Sequence, residues 1–266
     1  WPLLCMAPLA CTLALLAMTR ASAAIMMLPL DMAPMSFDDQ YQGCRSAMME
    51  ALPALNRSEF QQNPLFAKAW KAAAAEWRSR GSRVSPLSFP AQAIALLAYT
   101  MTDLYKEFNP AVRKAGCSPW EYRDKFHFKM LHFLLTDALA TLRVTQGRQC
   151  HHVFRGVGKI QFKAQKGDMV RFGQFASTSL SKDVSQEYGT DTMFQVYTCQ
   201  GVDIQDFSYD KSKKEVLIPP FETFKVTDVT KEGGQVQIWL SSTGTHSKYN
   251  CTWLKGDIMG TTWRAE

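Results

Sequence analysis

His151-His152-Val153-Phe154-Arg155-Gly156-Val157 marks the point where the texture of this 266-residue chain changes. Ahead of it the sequence reads helical. Ser58 to Arg80 is rich in Ala, Glu, Gln, Lys and Trp, and Phe66, Trp70, Ala73 and Trp77 recur at intervals of 3 and 4, the spacing of one helix face. Pro90 introduces a second helical stretch, Ala91 to Phe108, which Asn109-Pro110 is expected to stop, and Pro119 opens a third run through Phe126, Met130, Phe133, Leu134, Ala138 and Leu142. From His151 onward, short β-like runs take over: 153–154, 175–180, 193–198, 216–218, 222–229 and 235–240. Clusters of Gly, Asp, Ser and Lys separate them. Helices first and strands second predict an α+β fold, with a helical N-terminal half packed on a strand-rich C-terminal half in a single domain. The length suits one sizeable core, and no internal repeat or low-complexity segment interrupts it.

The ends of the chain point to export. Leu3 through Met18 is apolar, broken by Pro8 and followed by Ala21-Ser22-Ala23, a small-x-small ending. Residues 1–23 are therefore expected to be a secretory signal whose basic start is missing, since the chain opens on Trp1, with 24–266 as the mature domain. A membrane anchor is the alternative, but Pro8 and the short run weigh against it. Thr261 to Glu266 is polar, with no apolar tail of the kind a lipid-anchor signal needs. The expected address is thus secreted, or the extracellular face of the plasma membrane if the sequence stops short of an anchor signal. Asn56-Arg57-Ser58 and Asn250-Cys251-Thr252 are glycosylation acceptors that agree with export.

The net charge is +6, falling to about +5 without Arg20, which is too moderate to imply nucleic acid, and no nucleic-acid motif occurs. Arg78, Arg80 and Arg83 form the densest basic patch, which weighs as a solvated loop rather than a site for an anionic partner. Beyond the signal five cysteines remain, Cys44, Cys117, Cys150, Cys199 and Cys251, with no Cys-x-x-Cys pair to suggest zinc. An exported chain would join some of them, and spacing alone leaves the pairing open. The histidines form no metal pattern: His127 and His132 do not share a helix face, and His151-His152 are adjacent.

Three segments carry chemistry: Phe154-Arg155-Gly156, Phe175-Ala176-Ser177-Thr178-Ser179 and Glu215-Val216-Leu217-Ile218-Pro219-Pro220. A guanidinium binds phosphate through a planar fork of donors. A glutamate can hold a ribose hydroxyl and stabilise positive charge developing at an anomeric carbon. A serine hydroxyl both donates and accepts, and so can hold that glutamate in place. Together these parts suit the splitting of a nucleotide–sugar bond. Taken singly each is weaker: Arg155 alone reads as a surface arginine at a strand end, and Ser177 as a polar residue alternating out of a strand. Nucleophilic attack by Ser177 is disfavoured because no Gly-x-Ser-x-Gly elbow surrounds it. Gly156-Val157-Gly158 lacks the third glycine and following helix of a dinucleotide fold. Glu222, beyond two prolines, is the rival carboxylate and reads as structural.

The order Arg…Ser-Thr-Ser…Glu, with Glu215 opening Val-Leu-Ile-Pro-Pro-Phe-Glu-Thr-Phe, resembles the vertebrate ecto-mono-ADP-ribosyltransferases. Pro29-Leu30-Asp31-Met32-Ala33, Ser36-Phe37-Asp38-Asp39-Gln40-Tyr41, Leu104-Tyr105-Lys106-Glu107-Phe108-Asn109 and Arg171-Phe172-Gly173-Gln174-Phe175 extend the likeness over nearly all of the chain. The resemblance implies the ADP-ribosyltransferase fold and transfer of ADP-ribose from NAD+ to a protein side chain, arginine by family analogy. NAD+ would be a co-substrate, with no metal. It implies catalytic roles for Arg155, Ser177 and Glu215: Arg155 gripping the pyrophosphate or neighbouring ribose, Ser177 orienting Glu215 or touching the nicotinamide ribose. It also implies NAD+ contacts from Tyr99, Gln174 and Ser208, although Tyr99 by its own sequence context reads as core packing. Disulfides Cys44–Cys251 and Cys150–Cys199 follow from it too, the second worth about 4 kcal/mol by loop entropy, and they leave Cys117 as the odd one, expected as a buried thiol.

One position departs. Arginine-specific members carry Glu-x-Glu, and this chain reads Lys213-Lys214-Glu215. If that run is a strand, positions 213 and 215 face the same side, and Lys213 would repel a guanidinium acceptor. Two rival expectations follow: an NAD+ glycohydrolase with weak arginine transfer, and a catalytically idle exported binding protein. Joint retention of Arg155, Ser177 and Glu215 weighs against the last.

Overall fold

The computed structural model describes residues 25–101 and 104–259. The expected signal segment lies outside the described residues. The helical half comprises α1 (Arg45–Gln62), α2 (Pro64–Ser79), α3 (Pro90–Met101), α4 (Leu104–Ala115) and α5 (Lys129–Thr145). A short strand, β1 (Met26–Pro29), precedes them. The second half holds β2 (His151–Val157), β3 (Ile160–Lys163), β4 (Met169–Val170), β5 (Ala176–Ser179), β6 (Thr192–Thr198), β7 (Val202–Asp203), β8 (Glu215–Ile218), β9 (Glu222–Glu232) and β10 (Gln235–Thr245). Two further helices, α6 (Lys182–Gln186) and α7 (Thr252–Met259), fall between and after these strands. The fold is α+β, as the change of texture at His151 predicts.

Three helix boundaries differ from the sequence expectation. The run from Ser58 to Arg80 is not one helix: Asn63-Pro64 divides it, and the Asn63 side chain accepts from the Phe66 N–H at 3.0 Å as the N-cap of α2. Asn109-Pro110 does not stop a helix but lies inside α4. Pro110 forgoes one helical bond, yet Phe108, Asn109 and Val112 around it are buried, and that packing outweighs a proline penalty of about 3 kcal/mol. Pro119 opens only a π turn at Glu121–Lys125, with α5 starting at Lys129. Cys117 is exposed rather than buried. It follows Gly116, whose N–H is bonded to the Met35 carbonyl and which has no room for a Cβ against Ser36, so the next side chain points outward.

Among the described residues, eight strands form one sheet in the order β4-β9-β10-β6-β2-β5-β8-β7, and β1 pairs with β3 in a separate parallel ribbon. β10 and β6 run parallel, and every other pair in the large sheet is antiparallel. The sheet is buried on two sides. Leu217, Val202, Ile204 and Phe175 join the core of the helices, whereas Val216, Ile218, Ala176 and Val153 join a second core with Phe194, Phe224 and Ile238. Successive side chains of a strand point to opposite faces, so β8 feeds both cores, and all four of its residues are buried.

Two disulfides staple this arrangement, Cys44–Cys251 and Cys150–Cys199, the pairing that the family resemblance implies. The segment ahead of α1 is tied down by the buried Arg171–Asp38 ion pair at 2.6 Å. Arg171 also donates to the Met32, Ala33 and His246 carbonyls, so its charge is enclosed by acceptors.

His132 on α5 completes the join. Its Nε2 lies 3.2 Å from the Phe37 carbonyl and its Nδ1 2.8 Å from the Tyr41 hydroxyl. A carbonyl only accepts, so Nε2 carries the hydrogen and Nδ1 accepts from Tyr41. Burial depresses its pKa from 6.5 to about 3, with the Phe37 carbonyl opposing. The folded state therefore keeps this histidine neutral while the unfolded chain takes up a proton. Its stabilisation is full above the ordinary histidine pKa and is lost as pH falls toward about 3. We predict that His132→Gln is less stable than wild type at neutral pH by a few kcal/mol, with the gap narrowing between about pH 6.5 and pH 4. Urea unfolding across that range measures it, and a constant gap would refute the assignment.

Candidate active site

Arg155, Ser177 and Glu215 come from β2, β5 and β8, three strands that lie side by side in the sheet. Ser177 pairs with Leu217 and Ser179 with Glu215. Residues opposite one another share a face, so Ser177, Ser179, Glu215 and Leu217 all face the helical half. Where that face meets α3 and α4, a cavity of about 290 Å³ opens, lined among others by Tyr99, Asn109, Arg155, Ser177 and Glu215. It is the size of a small ligand pocket.

Glu215 sits at the bottom of this cleft because of how the chain enters β8. Asp210 caps a 3₁₀ turn at Lys211–Lys213, its side chain accepting from the Ser212 N–H at 2.9 Å. Lys214 then takes a left-handed conformation (φ 46°), and Glu215 follows as the first residue of the buried strand. Glu215 is 9 % exposed, and its carboxyl accepts from the Ser208 hydroxyl at 3.1 Å. Burial raises its pKa above the ordinary carboxylate value; the Ser177 and Ser208 hydroxyls and the Arg155 charge pull it back.

Half-buried Arg155 donates from Nη1 to the Ser177 carbonyl at 2.7 Å, which fixes its head between β2 and β5. Burial lowers its pKa; the fields of Tyr99 and Glu215 oppose this, while Arg113 adds to it. A cation held this way, with one neutral acceptor and a cleft in front of it, is prepared for an anion.

Tyr99 packs in the core and also lines the cavity. Its ring packs among Phe108, Phe175 and Tyr105, and its hydroxyl reaches the cavity wall. That hydroxyl donates to the Phe175 carbonyl at 2.9 Å, accepts from Asn109 Nδ2 at 3.1 Å and lies 3.5 Å from the Ser177 hydroxyl. Burial raises its pKa to about 12. Gln174 and Ser208, by contrast, do not line the cavity. Gln174 is half-buried beside it, and Ser208 is turned onto Glu215 from outside.

Lys213 is not in a strand, so the alternation argument for its direction fails: the 3₁₀ turn and the left-handed Lys214 set it instead. It still lines the cavity mouth, where its ammonium meets Glu187 Oε2 at 2.6 Å and lies 5.8 Å from the Tyr188 ring. Glu222 is structural. It is wholly buried, and its carboxylate accepts from Thr198, Ser242 and the N–H groups of Cys199 and Gln200.

Sequence reasoning missed Asn109, Tyr105 and Tyr188. Asn109, read as a helix stop, lines the cavity with a buried Oδ1 that has no partner among the described residues. An unpaired buried acceptor at a cavity wall suits a ligand donor. Gly156 also has a role beyond its place in the motif. A Cβ there would overlap the carbonyl oxygens of Ser185 and Gly189, so only glycine lets α6 and its following turn close over β2.

Residues 30–248 match the family model for NAD:arginine ADP-ribosyltransferase. The chain belongs to that family. Among its relatives is NAD(P)(+)–arginine ADP-ribosyltransferase 2 of Gallus gallus, 52 % identical over 229 residues that cover 85 % of this chain and 73 % of the relative. The human GPI-linked NAD(P)(+)–arginine ADP-ribosyltransferase 1 is 46 % identical over 243 residues, covering 85 % and 74 %. In structure the chain is similar to the eukaryotic mono-ADP-ribosyltransferase ART2.2, with a TM-score of 0.72 at 37 % identity over 85 % of this chain and 98 % of that one. A point mutant of ART2.2 solved in complex with NAD superposes with a TM-score of 0.71 at 36 % identity, covering 85 % of this chain and 98 % of that one. Members of the family thus bind NAD, and among the described residues of this chain no cluster of side chains could hold a metal ion.

In this ADP-ribosyltransferase, Gly156→Ala should force β2 away from α6 and widen the cleft. The expected cost is about 1–3 kcal/mol in urea unfolding, with NAD+ affinity weakened in calorimetric titration. Unchanged stability and affinity would show that the close approach is dispensable.

Proposed function

We propose that this protein transfers ADP-ribose from NAD+ to arginine side chains of proteins, releasing nicotinamide, with Arg155, Ser177 and Glu215 as its catalytic residues. The observation that supports this best is the buried Glu215 carboxyl, held by hydroxyl donors beside the Arg155 guanidinium at the base of one cleft. Arg155 offers the diphosphate of NAD+ a cation already oriented by the Ser177 carbonyl. Glu215 would accept the hydrogen of a ribose 2′-hydroxyl and oppose the positive charge that grows as the C1′–N bond breaks. The bonding pair leaves with nicotinamide and neutralises its ring nitrogen, so no strong acid is required. An acceptor nitrogen then bonds to C1′ and one proton is released. Ser177, between Tyr99 and Glu215, keeps the carboxylate aimed, and by family analogy Tyr99, Gln174 and Ser208 remain proposed NAD+ contacts.

A second outcome, hydrolysis of NAD+, is favoured by Lys213. An ammonium at the cavity mouth repels a guanidinium, although its ion pair with Glu187 offsets part of that effect by supplying a carboxylate at the same lip. We also propose an extracellular address, with the domain running from residue 24. Two disulfides and the exposed acceptor Asn250 support it, and no helix among the described residues is long and apolar enough to cross a membrane. A secreted or a lipid-anchored form would both fit; GPI-linked relatives are known by name.

Glu215→Gln keeps the shape and removes the charge. We expect nicotinamide release to fall on the order of 10²–10³-fold with the fold intact; near-normal turnover by the folded variant would falsify the assignment. Lys213→Glu should raise the ratio of ADP-ribosyl-arginine to free ADP-ribose when NAD+ is incubated with an arginine analogue. An unchanged ratio, from a wild type that already modifies arginine efficiently, would remove Lys213 from the acceptor site.

A further inference from the structure

Glu215 takes its aim partly from Ser208, and Ser208 stands in the segment that leaves β7 after Asp203 and rejoins the sheet at Glu215. At the start of the turn, Ile204 donates to the Glu215 carbonyl at 3.0 Å and the Phe207 and Ser208 N–H groups reach back to the Ile204 carbonyl. The chain leaves the sheet after Asp203, and Phe207 and Tyr209 line a cavity of about 600 Å³ together with Trp77, Leu97 and Arg80. Ile204 and Phe207 pack into the core of the helices, and the polar partners of Ser208 and Tyr209 also come from the helical half.

Arg80, at the C-terminus of α2, spreads its fork across two consecutive carbonyls: Nη1 donates to Ser208 and Nη2 to Tyr209, each at 2.8 Å. Its Nε is held by Glu76 Oε1 at 2.7 Å, and its guanidinium lies 5.5 Å from the centre of the Tyr209 ring. The Tyr209 N–H in turn donates to Thr100 Oγ1 at 3.0 Å, at the end of α3 beside the active-site cavity. Ser208 itself is 2 % exposed, and its hydroxyl completes the relay to Glu215 Oε2 at 3.1 Å. One arginine of a patch that reads as solvated in the sequence is therefore committed, through both terminal nitrogens of its head, to a single turn.

We propose that Arg80 is a positioning residue for catalysis: by clamping the Ser208 and Tyr209 carbonyls it holds the Ser208 hydroxyl on Glu215. A planar fork holds two adjacent carbonyls in one fixed geometry, whereas a lysine ammonium meets them from a single point on a flexible stem. Loss of the clamp lets the turn sag into the cavity behind it and withdraws one donor from the carboxylate. The aim of Glu215 then loosens, which costs rate more than ground-state affinity, since Arg155, the proposed grip on the diphosphate, stands on β2 away from this turn. The ionised form of Glu215 also loses a stabilising hydrogen bond, so its titration moves to higher pH. The other groups facing Glu215 are Arg155 from β2, Ser177 from β5, Tyr99 from α3, Tyr188 after α6 and Lys213 ahead of β8.

This rests on the proposed role of Glu215, and the test separates the two. Nicotinamide release from NAD+ is measured against pH for wild type, Arg80→Met, Arg80→Lys, Ser208→Ala, the Arg80→Met/Ser208→Ala double variant and Glu215→Gln, with folding checked by near-UV circular dichroism. Arg80→Met should lower kcat about 10-fold, with KM for NAD+ changed less than about 2-fold, and should move the acid limb of the kcat profile to higher pH. Ser208→Ala should move it in the same direction, the double variant no further, and Arg80→Lys should fall between wild type and Arg80→Met. Non-additivity of this kind is what a purely structural arginine would not produce. Inactive Glu215→Gln together with wild-type kcat and acid limb in Arg80→Met, or in Arg80→Lys should the methionine variant not fold, overturns the clamp alone. Full additivity of the two shifts overturns it as well. Near-normal turnover in Glu215→Gln overturns the catalytic reading of Glu215 and the clamp with it.

Discussion

The strand Glu215–Ile218 is buried on both faces, and the site depends on that constraint. Leu217 is part of the core beneath the helices, while Val216 and Ile218 belong to the core on the other side of the sheet. Each fully buried aliphatic side chain contributes about 1.5–3 kcal/mol, so the strand cannot slide or rotate without exposing one set or the other. A shift of one residue would exchange the two faces. Glu215 is carried into the cleft by this lock. Its carboxyl is desolvated at a cost that the Ser177 and Ser208 hydroxyls and the Arg155 charge only partly offset, which is why its pKa remains raised.

Comparison with Glu222 shows what distinguishes a site carboxylate from a structural one. Both are buried, and both have pKa values raised by that burial. Glu222 is saturated by two backbone N–H groups and two hydroxyls. It ties β6, β9 and β10 together where they leave the sheet. Glu215 meets side-chain hydroxyls alone and lines open space, so lone pairs remain directed at whatever enters.

The helical half supplies the other wall of the cleft and much of its precision. Tyr99 and Asn109 close the side opposite the three strands, and Arg80 and Thr100 reach the turn that precedes β8. At the mouth, Lys213 and Glu187 face each other across the gap between that turn and the segment after α6. The candidate catalytic groups thus stand on buried strands, whereas the ion pair at the mouth is exposed and screened by salt.

Much of this protein was legible in its residues. The change of texture at His151 separates helices from strands because the two periodicities, 3.6 and 2.0, leave different marks on a sequence. The order of Arg155, Ser177 and Glu215 in their motifs was enough to name the family and the donor, and the family resemblance to pair the cysteines. What residues alone misjudged were contacts set by distant parts of the chain. Asn109-Pro110 looks like a helix stop until packing around Phe108 and Val112 outweighs the proline. Lys213 looks like a strand residue until the left-handed Lys214 turns it. Arg80 looks solvated until a turn 128 residues further along the chain arrives against it. Local propensity decides elements because it acts between neighbours; burial and hydrogen-bond partners decide sites, and those exist only once the two halves have packed together.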